Sequence, residues 1–174
     1  RMVLVPGEVK VSRSLAKTLR NKPYEVRFDT VFDDVLRACA APREGEPGTW
    51  ITAEMRAAYG RLHRLGHAHS VETWVDGELA GGLYGVALGR MFYGESMFSR
   101  VRDASKIALV HLARRFGRID CQMRTDHLAT LGAGEIPRAQ FQRRVSELVD
   151  YAGRPGPWND WGTVAEKTPE PCRS

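Results

Sequence analysis

Cysteine is scarce: Cys39, Cys121 and Cys172 are the only three in 174 residues, an odd number at wide spacing. That argues against a disulfide framework or a paired metal knuckle, and a reducing cytoplasm is the simpler setting. No apolar run approaches the roughly 18 residues of a membrane span, and the start "RMVLVPGEVK" has no signal-peptide pattern, so a soluble, cytoplasmic chain with no membrane partner is expected. No Walker loop, dinucleotide fingerprint, G-x-S-x-G elbow or H-E-x-x-H helix occurs, so no cofactor is expected. The histidines of "HRLGHAH", His63, His67 and His69, read as helix-end caps rather than metal ligands, because Gly66 ends the helix before His67. Repeats and low-complexity tracts are also lacking.

What remains is ordinary globular composition, long enough for one compact domain with its own core. The 26 Lys+Arg against 21 Asp+Glu give a net charge of +5, which permits a polyanionic partner without showing one. "VSRSLAKTLRNK" predicts a helix capped by Ser12, with Leu15 and Leu19 on one face. Arg13, Lys17 and Arg20 lie opposite as a basic stripe suited to phosphates, although a plain solvated face fits as well. "DTVFDDVLRACA" predicts a second helix burying Phe32, Val35, Leu36 and Cys39. "APREGEPG" is a loop, and a third helix runs from near Thr52 to Gly66 with Met55, Ala58, Leu62 and Leu65 toward the core.

Asp76-Gly77 and Gly89-Arg90 then separate three strand-like runs, a meander. "DASKIALVHLARRFG" is a buried helix, "RIDCQM" a strand, and "PRAQFQRRVSELVDY" a last helix with Phe141, Val145 and Leu148 inward. The expected fold class is α+β, with a mixed, mostly antiparallel sheet flanked by helices. Residues 1–152 form one domain, and 153–174, rich in Pro, Trp and Gly, an irregular tail.

In "RIDCQM", alternation sets Ile119, Cys121 and Met123 on one face and Asp120 with Gln122 on the other. A polar pair on such a strand is either an edge or the floor of a polar site. Glu95, placed at the end of another strand, converges with Asp120, and two acids suit a cationic substrate. Leu83, Phe92, Met97, Leu109 and Phe116 are candidates to line a cavity beside them, the alternative being simple core. Cys121, on the opposite face, reads as packed rather than nucleophilic.

The strings "GTWIT", "RLHRLGHAHSVETW", "GGLYGVALGRMFYGESMFSR", "DASKIALVHLARRF", "IDCQM" and "GAGEIPR" together resemble the leucyl/phenylalanyl-tRNA–protein transferase family over roughly residues 1–141. The resemblance implies a catalytic domain with the acyl-CoA N-acetyltransferase-like fold. It also implies transfer of Leu or Phe from aminoacyl-tRNA to the N-terminal Arg or Lys of acceptor proteins, which marks them for the bacterial N-degron pathway. By matching motifs, Leu83, Met97, Leu109 and Ile119 border the pocket for the transferred side chain. Glu95 is its polar rim, and Asp120 with Gln122 the reacting centre, Asp120 taking the amine's proton. Many family members have methionine where Leu83 stands. The family's small N-terminal domain, rich in Trp and Pro, is not found ahead of "RMVL", and a monomer is expected.

Two rivals have sequence tests. An acyl-CoA-dependent N-acetyltransferase needs a Q/R-x-x-G-x-G/A loop opening a helix, whereas "HRLGHA" and "RRFGRI" fall at helix C-termini. A non-catalytic RNA-binding domain would use the basic stripe and aromatics, and be indifferent to Asp120.

Overall fold

A computed structural model describes residues 1–42, 49–153 and 155–166. Most of "APREGEPG", residues 43–48, and the end of the chain from 167 lie outside the described residues. Among the described residues, eight strands form one sheet: β1 (Met2–Leu4), β2 (Tyr24–Phe28), β3 (Ala68–Val75), β4 (Glu78–Leu88), β5 (Met91–Ser99), β6 (Arg118–Asp120), β7 (Gly134–Glu135) and β8 (Val164–Glu166). Their order is β7-β1-β6-β5-β4-β3-β2-β8. Every pairing is antiparallel except β5 with β6. The helices are α1 (Arg13–Asn21), α2 (Phe32–Ala40), α3 (Ala53–Arg64), α4 (Ala104–Ala113), α5 (Asp126–Thr130) and α6 (Arg138–Val149). The expected α+β class and mixed sheet are thus present. The parallel pair needs a crossover, and α4 supplies it.

The meander follows from its turns. Asp76 and Gly77 both take positive φ, 51° and 78°, the two-residue geometry that matches strand twist. Alternation along β4 divides the core between two sides: Leu83 joins the cluster with α4 and β2, while Tyr84 joins the one with α2 and α3. Ser12 caps α1 by accepting from Leu15 N, and Thr52 caps α3 by accepting from Met55 N. For α2 the cap comes from another strand. The buried Glu72 of β3 accepts from Thr30 N at 2.9 Å and Val31 N at 3.0 Å, where no local side chain does so.

Several expectations shift. In α3, Tyr59 is buried while Ala58 and Leu65 are exposed, because Leu65 lies beyond the last helical residue and the apolar stripe is turned by one position. No residue of α6 is fully buried; Phe141, Val145 and Leu148 are half-buried. β6 stops at Asp120, since Gln122 takes φ 59° and breaks the alternation, leaving Met123 77% exposed instead of packed beside Ile119. Past residue 153 the tail is not simply irregular: β8 pairs with β2, and the indole of Trp158 is buried. Trp158 stacks on His69 with ring centres 3.7 Å apart and donates its backbone N–H to Asp29 Oδ2 at 2.8 Å. Gly66 makes this approach possible: a Cβ there would lie 2.2 Å from Gly156 N.

Candidate active site

β5 and β6 pair only from Met91 to Tyr93 and from Arg118 to Asp120. Beyond that the two backbones bound opposite sides of a cavity of about 870 Å³, with Gly94 to Ser99 on one side and Asp120 to Met123 on the other. Its volume falls in the range of small-molecule sites, about 300–1,000 Å³. Leu83, Phe92, Met97, Leu109 and Ile119 all line it, which joins five side chains of the expected pocket from four elements. Phe116 does not. It follows the end of α4 and packs with Phe92, Trp158 and Trp161 at ring-centre distances of 5.4, 5.3 and 6.4 Å, in the aromatic core under the tail.

Glu95 sits within β5 rather than at its end. Tyr84 pairs with Ser96 and Gly85 with Gly94, so Glu95 is the extra residue of a β-bulge. A bulge re-aims a side chain, here toward the cavity. Its Oε2 accepts from Gln122 Nε2 at 2.8 Å. A carboxylate only accepts, so the amide nitrogen must be the end facing it, and the carbonyl end of Gln122 is the one turned away from Glu95. Below the wall Tyr59 bonds to Glu95, and its phenol is pushed well above the usual range by burial and then by the Glu95 charge.

Asp120 ends β6 with no exposed surface. Its Oδ2 accepts from Arg1 Nε at 3.1 Å and Nη2 at 2.8 Å, and its Oδ1 from Gln122 N at 2.8 Å. The partners that a buried acid needs are therefore present. Cys121, beside it, is half-buried, and burial followed by the Asp120 charge pushes its thiol up to about 12. Its side chain packs against the core, and a protonated thiol is a weak nucleophile.

Three features of this site have no clear signal in the sequence. Arg1 is 119 residues from its partner, with no local pattern to mark the pair. Trp50, 51% exposed, stands at the cavity wall, and nothing in its neighbours' spacing assigns it there. Arg100 and His127 line both this cavity and a smaller one of about 350 Å³, which Arg102, Lys106 and Ser14 of α1 also border. Arg13, Lys17 and Arg20 are exposed on that same helix.

The histidines divide differently from their spacing. His67 is exposed, while His63 and His69 gather at Asp29. Both nitrogens of His69 are engaged, Nδ1 with Asp29 at 2.8 Å and Nε2 with Gly66 O at 3.2 Å, and Nδ1 of His63 meets Ala68 O at 2.8 Å. Asp29 also accepts from Ser70 N and Trp158 N. These bonds fasten the tail to the sheet.

A cavity of small-molecule size with a bonded carboxylate and amide on its wall, in a mixed sheet with a helical crossover, is the arrangement of an enzyme's substrate pocket rather than of a flat binding surface. Which enzyme follows from comparison. The family model for leucyl/phenylalanyl-tRNA protein transferase matches residues 3–146, and the chain belongs to that family. It is 64% identical to a leucyl/phenylalanyl-tRNA–protein transferase of Thiobacillus denitrificans, across 91% of this chain and 72% of that one. Relatives with the same name from Nitrosomonas europaea and Chromobacterium violaceum are 61% and 63% identical, over 91% and 87% of this chain and 69% and 67% of theirs.

Proposed function

We propose that the cavity holds the leucyl or phenylalanyl side chain of an aminoacyl-tRNA and that Gln122 and Glu95 present the ester to the N-terminal amine of an acceptor protein beginning with Arg or Lys. The observation that carries this is the 2.8 Å bond between Gln122 and Glu95 on the wall of a cavity that Leu83, Phe92, Met97, Leu109 and Ile119 also line. The acetyltransferase-like fold belongs to the same proposal, supported by the meander, the α4 crossover and the cavity beyond the paired ends of β5 and β6.

The chemistry asks little of the protein beyond placement. An α-amine with a pKa of about 7.7–8.0 is partly neutral at pH 7, and the ester is already activated. The amine nitrogen attacks the ester carbonyl carbon, a C–N bond forms, and the C–O bond to the ribose breaks. The proton lost by nitrogen ends on the departing 3′ oxygen. Gln122 Oε1 accepts an N–H of the amine and turns its lone pair toward the carbonyl. Holding the two reactants in contact supplies about 7–11 kcal/mol of the barrier. Asp120 has no exposed surface and accepts from Gln122 N, so in this reading it acts through Gln122 rather than by taking the amine's proton itself. Glu95, at the cavity, draws the acceptor's cationic side chain.

Outside the cavity, Trp50 offers an indole face on which a terminal base can stack, and Arg13, Lys17 and Arg20 face the acceptor-stem phosphates. The test is transfer of labelled leucine from Leu-tRNA to peptides starting with Arg, Lys or Met, by the full natural chain and its Gln122→Ala variant. Transfer to the Arg and Lys peptides alone, lost in the variant while tRNA binding persists, is expected. No transfer, or transfer indifferent to Gln122→Ala, overturns the reading.

A further inference from the structure

We propose that Arg1 is a positioning residue of the transfer centre: by holding the buried Asp120 carboxylate it fixes the backbone, and hence the amide, of Gln122. The proposal rests on the function given above and adds a residue that the site motifs do not contain.

Asp120 is 0% exposed, and a buried carboxylate is tolerated only when paired and hydrogen-bonded. Arg1 provides both: two N–H groups of one guanidinium converge on Oδ2, a fork that lysine cannot reproduce. The Arg1 backbone is placed by two contacts and its guanidinium by a third. β1 aligns Val3 with Asp120, Ile136 N donates to Arg1 O at 3.0 Å, and the ring of Phe141 on α6 lies 5.7 Å from Cζ. With Oδ2 so occupied, Oδ1 is turned to the Gln122 N–H at 2.8 Å. That bond favours φ 59° at Gln122, a left-handed conformation that non-glycine residues seldom adopt without support. From this backbone the side chain reaches Glu95 at 2.8 Å. The contacts thus run Arg1–Asp120–Gln122–Glu95 without a gap, from the solvent edge, where the Arg1 side chain is 42% exposed, to the cavity. The other titratable groups beside Asp120 are Tyr93 of β5 and Cys121, each a neutral side chain raised first by burial. Arg1 is the cation that forms a salt bridge with Asp120 among the described residues.

The experiment compares the kcat and KM of leucine transfer in the full natural chain for wild type, Arg1→Ala, Arg1→Lys and Asp120→Ala, each with and without added guanidinium ion. Displacing a reacting group by about 1 Å costs about 100-fold in rate, so Arg1→Ala lowers kcat by about that factor. KM for Leu-tRNA stays unchanged, guanidinium restores part of kcat, and Arg1→Lys falls between. A folded Arg1→Ala with wild-type kcat overturns the proposal, as does a loss that neither guanidinium nor lysine relieves, which marks fold support alone. Should Arg1→Ala fail to fold, Arg1→Lys carries the test by its split between kcat and KM. Wild type without transfer refutes the function and this proposal with it. Active wild type with an active Asp120→Ala refutes the site, and an inert Asp120→Ala beside an unaffected Arg1→Ala refutes the role of Arg1 only.

Discussion

Asp120→Asn is the most demanding substitution for this site, because it preserves shape and removes only charge and one acceptor. The native carboxylate receives three N–H donors, two from Arg1 on Oδ2 and one from Gln122 on Oδ1. Asparagine has a single acceptor oxygen. Whichever way its amide is turned, the NH₂ group faces a donor: the guanidinium in one orientation, the backbone N–H of Gln122 in the other. Hydrogen bonds to charged groups contribute about 1.5–3 kcal/mol each, and the loss at Gln122 is not repaired by water because Asp120 is sealed. The loss at Arg1 is smaller, since that half-exposed cation is screened and rehydrates. Together these give about 2–4 kcal/mol of destabilisation, a large part of a typical 5–15 kcal/mol but short of unfolding the domain. Transfer should fall about 100-fold, chiefly in kcat, as Gln122 loses its left-handed backbone. Urea titration and leucine transfer from Leu-tRNA measure the two effects. An Asp120→Asn protein within about 0.5 kcal/mol of wild type and with wild-type kcat would refute the reasoning.

Other perturbations test separate parts of the molecule. Leu109→Ala removes a buried side chain from the cavity wall; it should cost about 2–5 kcal/mol and favour Phe-tRNA over Leu-tRNA in a competition assay. Burial, then the charges of Arg114 and Arg115, push His111 down to about 4, so it is neutral in the fold while the unfolded chain takes up a proton below about 6.5. Stability is therefore lost as pH falls from about 6.5 to about 4, by up to about 3 kcal/mol, and His111→Gln should flatten that part of the urea-midpoint profile. Trp158→Ala empties the largest fully buried side chain and should cost about 3–5 kcal/mol by denaturant titration, showing that the segment past 153 belongs to the core. Replacing Arg13, Lys17 and Arg20 by glutamine should weaken tRNA binding and reduce the salt slope by about 0.9 for each phosphate no longer neutralised.

Local rules make much of this fold readable. The cap Ser12, the stripe of Phe32, Val35, Leu36 and Cys39, and the Asp76-Gly77 turn depend on side chains within a few residues of one another. The strand Tyr24–Phe28 is harder to see, although its buried residues alternate, because a five-residue run between two helices carries little periodic signal. β1, β7 and β8 are two or three residues long, and only their partners make them strands.

The sequence by itself determined the chemical inventory: an amphipathic α1, a meander, a buried crossover helix, and the motifs that hold Glu95, Asp120 and Gln122. Tertiary structure decided how those residues are used. A bulge, visible only in the register between β4 and β5, aims Glu95 into the cavity, and the left-handed residue at Gln122 turns its amide to meet it. The same closure removes Asp120 from solvent and gives it Arg1, 119 residues away in sequence. Periodicity reports which face a side chain takes on its own element, whereas burial and ion pairing depend on which elements are brought together, and that is set by the sheet order.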